Sequence, residues 1–156
     1  MSIQLHLGES SPVWVRVEKS HPAALALADR HYSRQTPGAR WFTPPGRTLV
    51  LVSPDARALW SVVENLDGAG AVQWRVTMFR NEGEARSSAL IVEATELTRR
   101  WWSERFSTPK VPLTTEVDPS RVRRKRDPGR CFLRAGWTRI GTTRDQGLVL
   151  LRAPEG

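Results

Sequence analysis

The sequence predicts a mixed α+β fold, with helices packed on a single sheet. Three observations carry this prediction. A strand-like run at residues 72–79 leads through a polar turn into a long helical pattern. Two strand-like runs before it are joined by Ser53-Pro54-Asp55, and two more close the chain. Strand runs that are interrupted by single helices indicate one sheet that carries the helices on its surface.

The first two elements are a strand and a short helix. Valines at alternate positions of residues 12–19 predict a strand with one buried face. Ser20 is a suitable helix N-cap, Pro22 suits the first helical turn, and residues 23–30 are rich in helix-forming side chains. This helix carries His31 to its C-terminal end, where the helix dipole favours a protonated imidazole, whereas a bound metal would need a neutral one.

The centre of the chain predicts a hairpin, a third strand and the main helix. Residues 48–53 and 56–64 are strand-like, and the proline and aspartate between them favour a tight turn. Residues 72–79 form the next strand. Apolar residues recur at helical spacing over residues 87–102, so this helix is expected to bury one side against the sheet.

The last part of the chain predicts one more strand, a short helix and a closing hairpin. Residues 113–117 are strand-like and follow a proline-containing break. Asp127-Pro128-Gly129 is typical of a helix start, with Asp127 as the cap, and Gly136 is typical of a helix end. Residues 137–141 and 147–152 then form a hairpin.

The composition predicts one soluble domain that spans residues 1–156. A chain of 156 residues with 39% hydrophobic content builds one core of ordinary size. The single cysteine, Cys131, excludes an internal disulfide and a cysteine-rich zinc site. Residues 1–11 lack a signal-peptide pattern, and no apolar stretch is long enough to span a membrane. We therefore expect a cytoplasmic protein with no membrane partner, and the oligomeric state stays open.

The charge distribution predicts an anionic partner, and nucleic acid is one candidate. The formal net charge is +8, and basic residues cluster late in the chain. A proline-broken stretch at residues 32–47 adds aromatic and basic side chains, which are suited to stacking on bases and to holding phosphates. Packing of Trp41 and Phe42 against the core explains these aromatic residues equally well. The candidate nucleic-acid residues are Arg34, Arg40, Trp41, Arg121, Arg123, Arg124, Lys125 and Arg126. Two alternatives remain, the phosphates of coenzyme A or a merely solvated basic face.

The turn between the strand at 72–79 and the main helix predicts a phosphate-binding site. The first N–H groups of a helix are unpaired and carry the positive end of the helix dipole, so they attract phosphate. Gly83 permits close approach of a ligand to the backbone, and Ser87 or Ser88 is expected to cap the helix. We expect the backbone N–H groups of residues 81–85 to face the phosphates, Arg80 to neutralise them, and Glu82 to be a surface carboxylate. An ordinary strand-to-helix turn is the alternative.

The spacing Arg80-x-x-Gly83-x-Ala85 resembles the pyrophosphate loop of the GNAT N-acetyltransferase superfamily. The segment at residues 129–137 is similar to the late helix of that family. The resemblance implies a GNAT-like twisted mixed sheet of about six or seven strands with helices on both faces. It also implies an acetyl-CoA or related acyl donor, whose pantetheine arm runs between splayed strands at 72–79 and 113–117. The implied cofactor-binding residues are Phe79, Arg80, Asn81, Gly83, Ala85, Ser87 and Ser88.

A narrower resemblance is to the phage Mom proteins and their bacterial relatives, GNAT-like enzymes that modify the exocyclic amine of adenine in DNA. It rests on His31-Tyr32-Ser33-Arg34, on residues 114–119, and on residues 128–137. It implies His31, Tyr32, Ser33 and Asp118 as catalytic residues, and an iron held by His31, Tyr32 and Asp118. The chain departs from common GNAT enzymes because Phe132 stands near the expected place of the late-helix tyrosine.

An amine acceptor loses a proton as it attacks, so a general base is expected near the acyl group. The candidates are His31, Glu64, Glu116 and Asp118, and the sequence favours His31 and Asp118. Three functions stay open: modification of a DNA base, acetyl transfer to a protein or small-molecule amine, and non-enzymatic DNA binding on a GNAT-like core.

Overall fold

A computed structural model of the chain describes residues 4–6, 13–31, 42–121 and 129–156. The elements in chain order are β1 Gln4–His6, β2 Val13–Val17, α1 Pro22–Asp29, β3 Arg47–Val52, β4 Ala58–Leu66, β5 Val72–Asn81, α2 Ser87–Arg105, β6 Leu113–Val117, a short 3-10 helix Pro119–Arg121, α3 Arg130–Arg134, β7 Thr138–Thr142 and β8 Val149–Arg152. The predicted mixed α+β fold is confirmed. Strand β1 was not predicted.

The strands form one eight-stranded sheet in the order β1-β2-β3-β4-β5-β6-β8-β7. Every neighbouring pair is antiparallel except β5 and β6, which are parallel. A parallel pair needs a long crossover between its strands, and α2 supplies it. The element order from β2 onward agrees with the predicted order, and the parallel pair makes the sheet mixed, as predicted.

Helices cover both faces of the sheet, as predicted. Leu27 and Ala28 of α1 pack with Val50 and Met78 on one face. The other face is a larger, aromatic core, in which α2 and α3 pack on β2 to β6 and β8. Its buried tryptophans are Trp14, Trp60, Trp74, Trp101, Trp102 and Trp137. The buried residues under α1 are therefore non-aromatic, with the partly buried Phe42 packed against them, whereas aromatic rings dominate the core under α2.

Strands β5 and β6 separate after a short paired segment. Their ladder covers only Trp74 to Val76 of β5, opposite Leu113 to Thr115 of β6. The hydroxyl of Thr115 donates to the carbonyl of Val76 at 3.1 Å, where the ladder ends. On the other side of β5, a bulge places Thr77 between the pairs Ser61–Met78 and Val62–Val76. The bulge turns Phe79 toward the α2 face, and the end of β5 runs free of β6.

Three predicted helix caps are wrong. Helix α1 is capped by His21, whose ring nitrogen accepts from the Ala23 amide at 3.1 Å, and not by Ser20. Arg86 occupies the N-cap position of α2 and makes no side-chain capping bond, so neither Ser87 nor Ser88 caps this helix. Helix α3 begins after Gly129, which has a left-handed backbone and takes the cap position predicted for Asp127. The φ of 79° at Gly129 is a backbone conformation that other residues rarely adopt, so this position favours glycine.

Candidate active site

The turn from β5 to α2 is organised by the side chain of Asn81, the last residue of β5. Its amide nitrogen donates to the carbonyl of Ala85 at 2.7 Å and to the hydroxyl of Ser87 at 3.0 Å. Its amide oxygen accepts from the backbone N–H of Gly83 at 3.0 Å. One side chain therefore fixes both ends of the turn, which holds the start of α2 in a defined position.

Two of the backbone amides predicted to bind phosphate are already occupied. The N–H of Glu82 donates to the carbonyl of Arg57 at 2.7 Å, and that of Gly83 donates to Asn81. The prediction that residues 81–85 present their amides is therefore wrong at these two positions. In the described part of the chain, the N–H groups of residues 84–89 have no hydrogen-bond acceptor. The backbone N–H groups that can attract an anion are therefore those at the first turn of α2, a few residues later than predicted.

A cleft of about 290 Å³ opens beside this turn, against the hairpin between β3 and β4. The hairpin contributes Asp55 and Arg57 to its lining, and the turn contributes Gly83 and Ala85. A Cβ on Gly83 would lie 3.2 Å from Arg57 Cβ, so any side chain there would crowd the hairpin. The exposed Arg57 is a cation beside the helix start that the sequence did not single out, because it comes from a different hairpin.

Arg80 and Glu82 belong to a three-residue ion-pair cluster with Arg30, at the end of α1. Arg30 donates to both carboxylate oxygens of Glu82, at 2.6 Å and 2.8 Å. Arg80 donates to the same carboxylate and also to the carbonyl of Arg30, the latter at 2.7 Å. Glu82 is therefore not a solitary surface carboxylate. The cluster connects α1 to the turn, and no local sequence pattern predicts it because Arg30 and Glu82 are 52 residues apart.

The cluster predicts an acid-sensitive contribution to stability. Hydrogen bonds from Arg30 and Arg80 lower the pKa of Glu82 from its ordinary 4.5 to about 2. Because the unfolded chain takes up this proton first, the contribution is complete above pH 4.5 and is lost as the pH falls toward 2. We expect Glu82→Gln to be less stable than the wild type at pH 7, with a difference that shrinks toward pH 2.

Urea unfolding between pH 2 and pH 7 measures this difference. Glu104→Gln on the exposed side of α2 makes the same chemical change away from the cluster, and its stability should follow the wild type at every pH. If the free energies of unfolding of the wild type and Glu82→Gln change with pH in the same way, the cluster does not stabilise the fold.

His31 lies at the end of α1 against the end of β5. Its imidazole is hydrogen-bonded to the backbone of Phe79, and Arg80 lies nearby. Burial, followed by the positive charge of Arg80, lowers the pKa of His31 from 6.5 to about 4. The expectation of a protonated imidazole is therefore wrong, because desolvation and Arg80 outweigh the helix dipole. At neutral pH this histidine is neutral and supports the end of β5.

Asp118 follows directly after β6 and caps the short 3-10 helix. One carboxylate oxygen accepts from the backbone N–H of Ser120 at 2.9 Å and from its hydroxyl at 2.7 Å. No group of three or more His, Cys, Asp or Glu side chains that could hold a metal occurs among the described residues. Tyr32, the third predicted iron ligand, lies outside them. The described residues thus give no support to an iron site.

Phe79 forms part of an aromatic wall behind the turn. Its ring packs edge-on against Phe132 at 5.9 Å and against Trp60 at 6.0 Å. Phe132 comes from α3 and also contacts Trp137 at 4.9 Å. The predicted residues Phe79, in the strand, and Phe132, in the late helix, are therefore brought together, and they hold the free end of β5 against α3.

Several predicted residues lie outside the described residues, wholly or in their side chains. Tyr32 and Ser33 of the catalytic set are among them. So are most of the nucleic-acid candidates, namely Arg34, Arg40, Trp41, Arg123, Arg124, Lys125 and Arg126. Arg121 ends the short 3-10 helix, and its side chain is likewise not described. These assignments stay predictions.

Comparisons with known proteins give one structural likeness. No protein-family model matches the sequence, and no curated protein matches it. Among solved structures, the chain is similar to a crystal structure described as a "putative acetyltransferase" from Sphaerobacter thermophilus. The identity is 15%, the TM-score is 0.49, and the match covers 97% of this chain and 98% of that one.

In the described residues, no helix is long and apolar enough to cross a membrane.

Proposed function

We propose that this protein is an acyltransferase that moves an acyl group from a coenzyme A thioester to an amine. The observation that carries the proposal is the separation of β5 from β6 directly before the uncapped start of the 19-residue helix α2. An acyl-CoA donor has an extended arm with amide groups, and a diphosphate joins this arm to the nucleoside. The molecule offers a complementary feature to each part.

The extended arm fits the free edge of β5. Beyond Val76, β5 continues for five residues to Asn81 without pairing to β6, over roughly 16 Å at about 3.3 Å per residue. Within this stretch the backbone of Phe79 is hydrogen-bonded to His31. An extended ligand with amide groups can add to such an edge as a further strand and hydrogen-bond to the backbone. The bulge at Thr77 supports this role because it directs the end of β5 away from β6.

The diphosphate fits the first turn of α2. The free N–H groups of residues 84–89 and the positive end of the helix dipole attract negative charge. Arg57 at the edge of the adjacent cleft adds a guanidinium. Arg80 is committed to Glu82 and Arg30, so its proposed part is to hold the turn rather than to contact phosphate directly.

For the acceptor, we propose an exocyclic amine of a DNA base, adenine first. The support is the resemblance to the Mom proteins and the basic run at residues 121–126, since arginine side chains suit contacts to the phosphate backbone. The amine of a paired base is enclosed in the duplex, so the enzyme needs a flipped or single-stranded base. The alternatives are an amine of a protein or small molecule, and a DNA-binding module without catalysis.

The test separates donor from acceptor. Calorimetric titration with coenzyme A and with acetyl-CoA measures donor binding. Incubation with acetyl-CoA and an adenine-containing single-stranded oligonucleotide, a lysine peptide or a simple primary amine is followed by mass spectrometry of each acceptor. We expect micromolar donor binding and a mass increase on adenine.

Each other outcome selects a different function. Acylation of the peptide or amine alone selects the general N-acetyltransferase. No binding of coenzyme A, together with salt-sensitive retention of the oligonucleotide, selects the non-enzymatic DNA-binding module. Absence of both kinds of binding overturns the proposed function altogether.

A further inference from the structure

We infer that Glu116 is the general base that removes the proton from the acceptor amine. This inference rests on the proposed acyl transfer. The sequence gives four candidate bases, His31, Glu64, Glu116 and Asp118, and ranks Glu116 below His31 and Asp118. The structure changes that order, because the other three are engaged elsewhere and Glu116 stands at the opening of the splayed strands.

Glu64 lies at the wrong end of the sheet. It pairs across β4 and β5 with Trp74, at the opposite end of β5 from Phe79 and the turn. One of its carboxylate oxygens accepts from the indole N–H of Trp102 at 2.9 Å and lies 3.6 Å from Arg47. This carboxylate therefore serves the packing of α2 and not the reaction.

His31 and Asp118 have structural tasks. The imidazole of His31 is bonded to the backbone of Phe79 beside Arg80, where burial and a neighbouring positive charge disfavour the proton that a base must accept. One carboxylate oxygen of Asp118 already accepts two hydrogen bonds from Ser120. His31 holds the end of β5, and Asp118 holds the short helix after β6. Both segments border the gap between the two strands.

Glu116 occupies the first position of β6 beyond its ladder with β5. The ladder ends at the pair Val76–Thr115, so the next residue of β6 borders the gap between the strands. Burial alternates along β6, with Leu113, Thr115 and Val117 buried. Leu113 and Val117 join the aromatic core under α2, so Glu116 projects from the opposite face of the sheet.

The surroundings leave the carboxylate available. Glu116 is partly buried, and in the described part of the chain its side chain forms no hydrogen bond or ion pair. Arg75 also projects from the face opposite the aromatic core, and it pairs with Thr114, two residues before Glu116. No ion pair joins Arg75 to Glu116 among the described residues, so the carboxylate oxygens are not committed to another group.

Acyl transfer at this position needs an attacking amine, a leaving thiolate and an acceptor for the proton of the amine. The amine nitrogen attacks the thioester carbonyl carbon, which forms a C–N bond, and the C–S bond breaks with its electron pair leaving on sulfur. The proton lost by nitrogen passes to the Glu116 carboxylate, directly or through one water molecule. The thiolate then takes a proton from the solvent or from the protonated Glu116. The products are an amide and free coenzyme A.

The experiment compares Glu116→Gln with the wild type. Thiol release from acetyl-CoA in the presence of an acceptor that the wild type acylates gives kcat, and calorimetry gives the donor Kd. We expect kcat to fall at least about a hundredfold, as is typical when a positioned base is lost. The donor Kd should stay within about twofold, because the residue faces the acceptor, and we expect the acid limb of the pH profile to be weaker in the variant than in the wild type.

Two variants act as controls. Glu116→Asp keeps a carboxylate at a shorter reach, so its kcat is expected between those of the wild type and Glu116→Gln. Glu96→Gln, on the exposed side of α2, should match the wild type. Wild-type kcat and an unchanged pH profile in Glu116→Gln would overturn the role of Glu116 and leave the acyltransferase standing. Failure of the wild type to bind donor or release thiol would instead overturn the proposed function, and the role of Glu116 with it.

Discussion

Replacing Ser88 with aspartate is expected to weaken binding of coenzyme A at least tenfold while the protein stays as stable as the wild type. Ser88 is the second residue of α2, and its N–H is among those without an acceptor in the described residues. A carboxylate at this place would occupy the region proposed for the diphosphate and repel it. A tenfold loss of affinity corresponds to about 1.4 kcal/mol. Repulsion between like charges a few ångströms apart near a protein surface is large enough to account for this energy.

Stability should move in the opposite direction. Negative charge in the first turn of a helix is favourable by about 0.3–1 kcal/mol, so the aspartate should keep or raise the melting temperature. Ser88→Asn, which has nearly the same shape and no charge, is the matched control and should bind donor far better than the aspartate variant. Equal donor affinity of the aspartate variant and the wild type would place the diphosphate somewhere other than the start of α2.

Replacing Trp60 with alanine is expected to remove about 3–5 kcal/mol of the free energy of unfolding. Trp60 is fully buried, and its ring contacts Phe79, Phe132 and Trp137 at centroid distances of 6.0, 6.2 and 6.4 Å. Its indole N–H donates to the hydroxyl of Thr98 at 2.9 Å. Domains are stable by only about 5–15 kcal/mol, so this single change takes a large share of the total.

Urea denaturation followed by circular dichroism measures the loss. Trp60→Phe keeps an aromatic ring in the same layer, so its loss should be clearly smaller, although it leaves the Thr98 hydroxyl with one partner fewer. A loss below about 1 kcal/mol in Trp60→Ala would mean that the wall of rings relaxes around the cavity. Because this wall also supports Phe79 near the end of β5, we expect Trp60→Ala to bind the donor more weakly than the wild type.

Local patterns identified most elements of the fold. The alternating valines at Val13, Val15 and Val17 locate β2, and the bounds of β6 agree with the prediction at both ends. The strand, polar turn and helix around Gly83 were also predicted in the right place. These features follow from side-chain period and turn chemistry, both of which are written in short stretches of sequence.

Other features needed contacts between distant parts of the chain. Strand β1 has three residues and depends on its pairing with β2, which a local pattern cannot reveal. The bulge at Thr77 follows from the register between β4 and β5. The caps of all three helices differed from prediction because several residue types compete for each cap, and the surrounding packing decides among them.

The same division applies to the candidate site. The sequence by itself determined that a glycine-containing turn joins a strand to a long helix, because the periodicity of side chains changes there from two to about 3.6. The tertiary structure alone decided which amides remain available, since the one at Glu82 is taken by a carbonyl of another hairpin. It also decided that Arg80 joins Arg30 and Glu82, and that Glu116 borders the gap between strands. Such pairings depend on how separate segments are brought together in space, and residue spacing along the chain does not encode them directly.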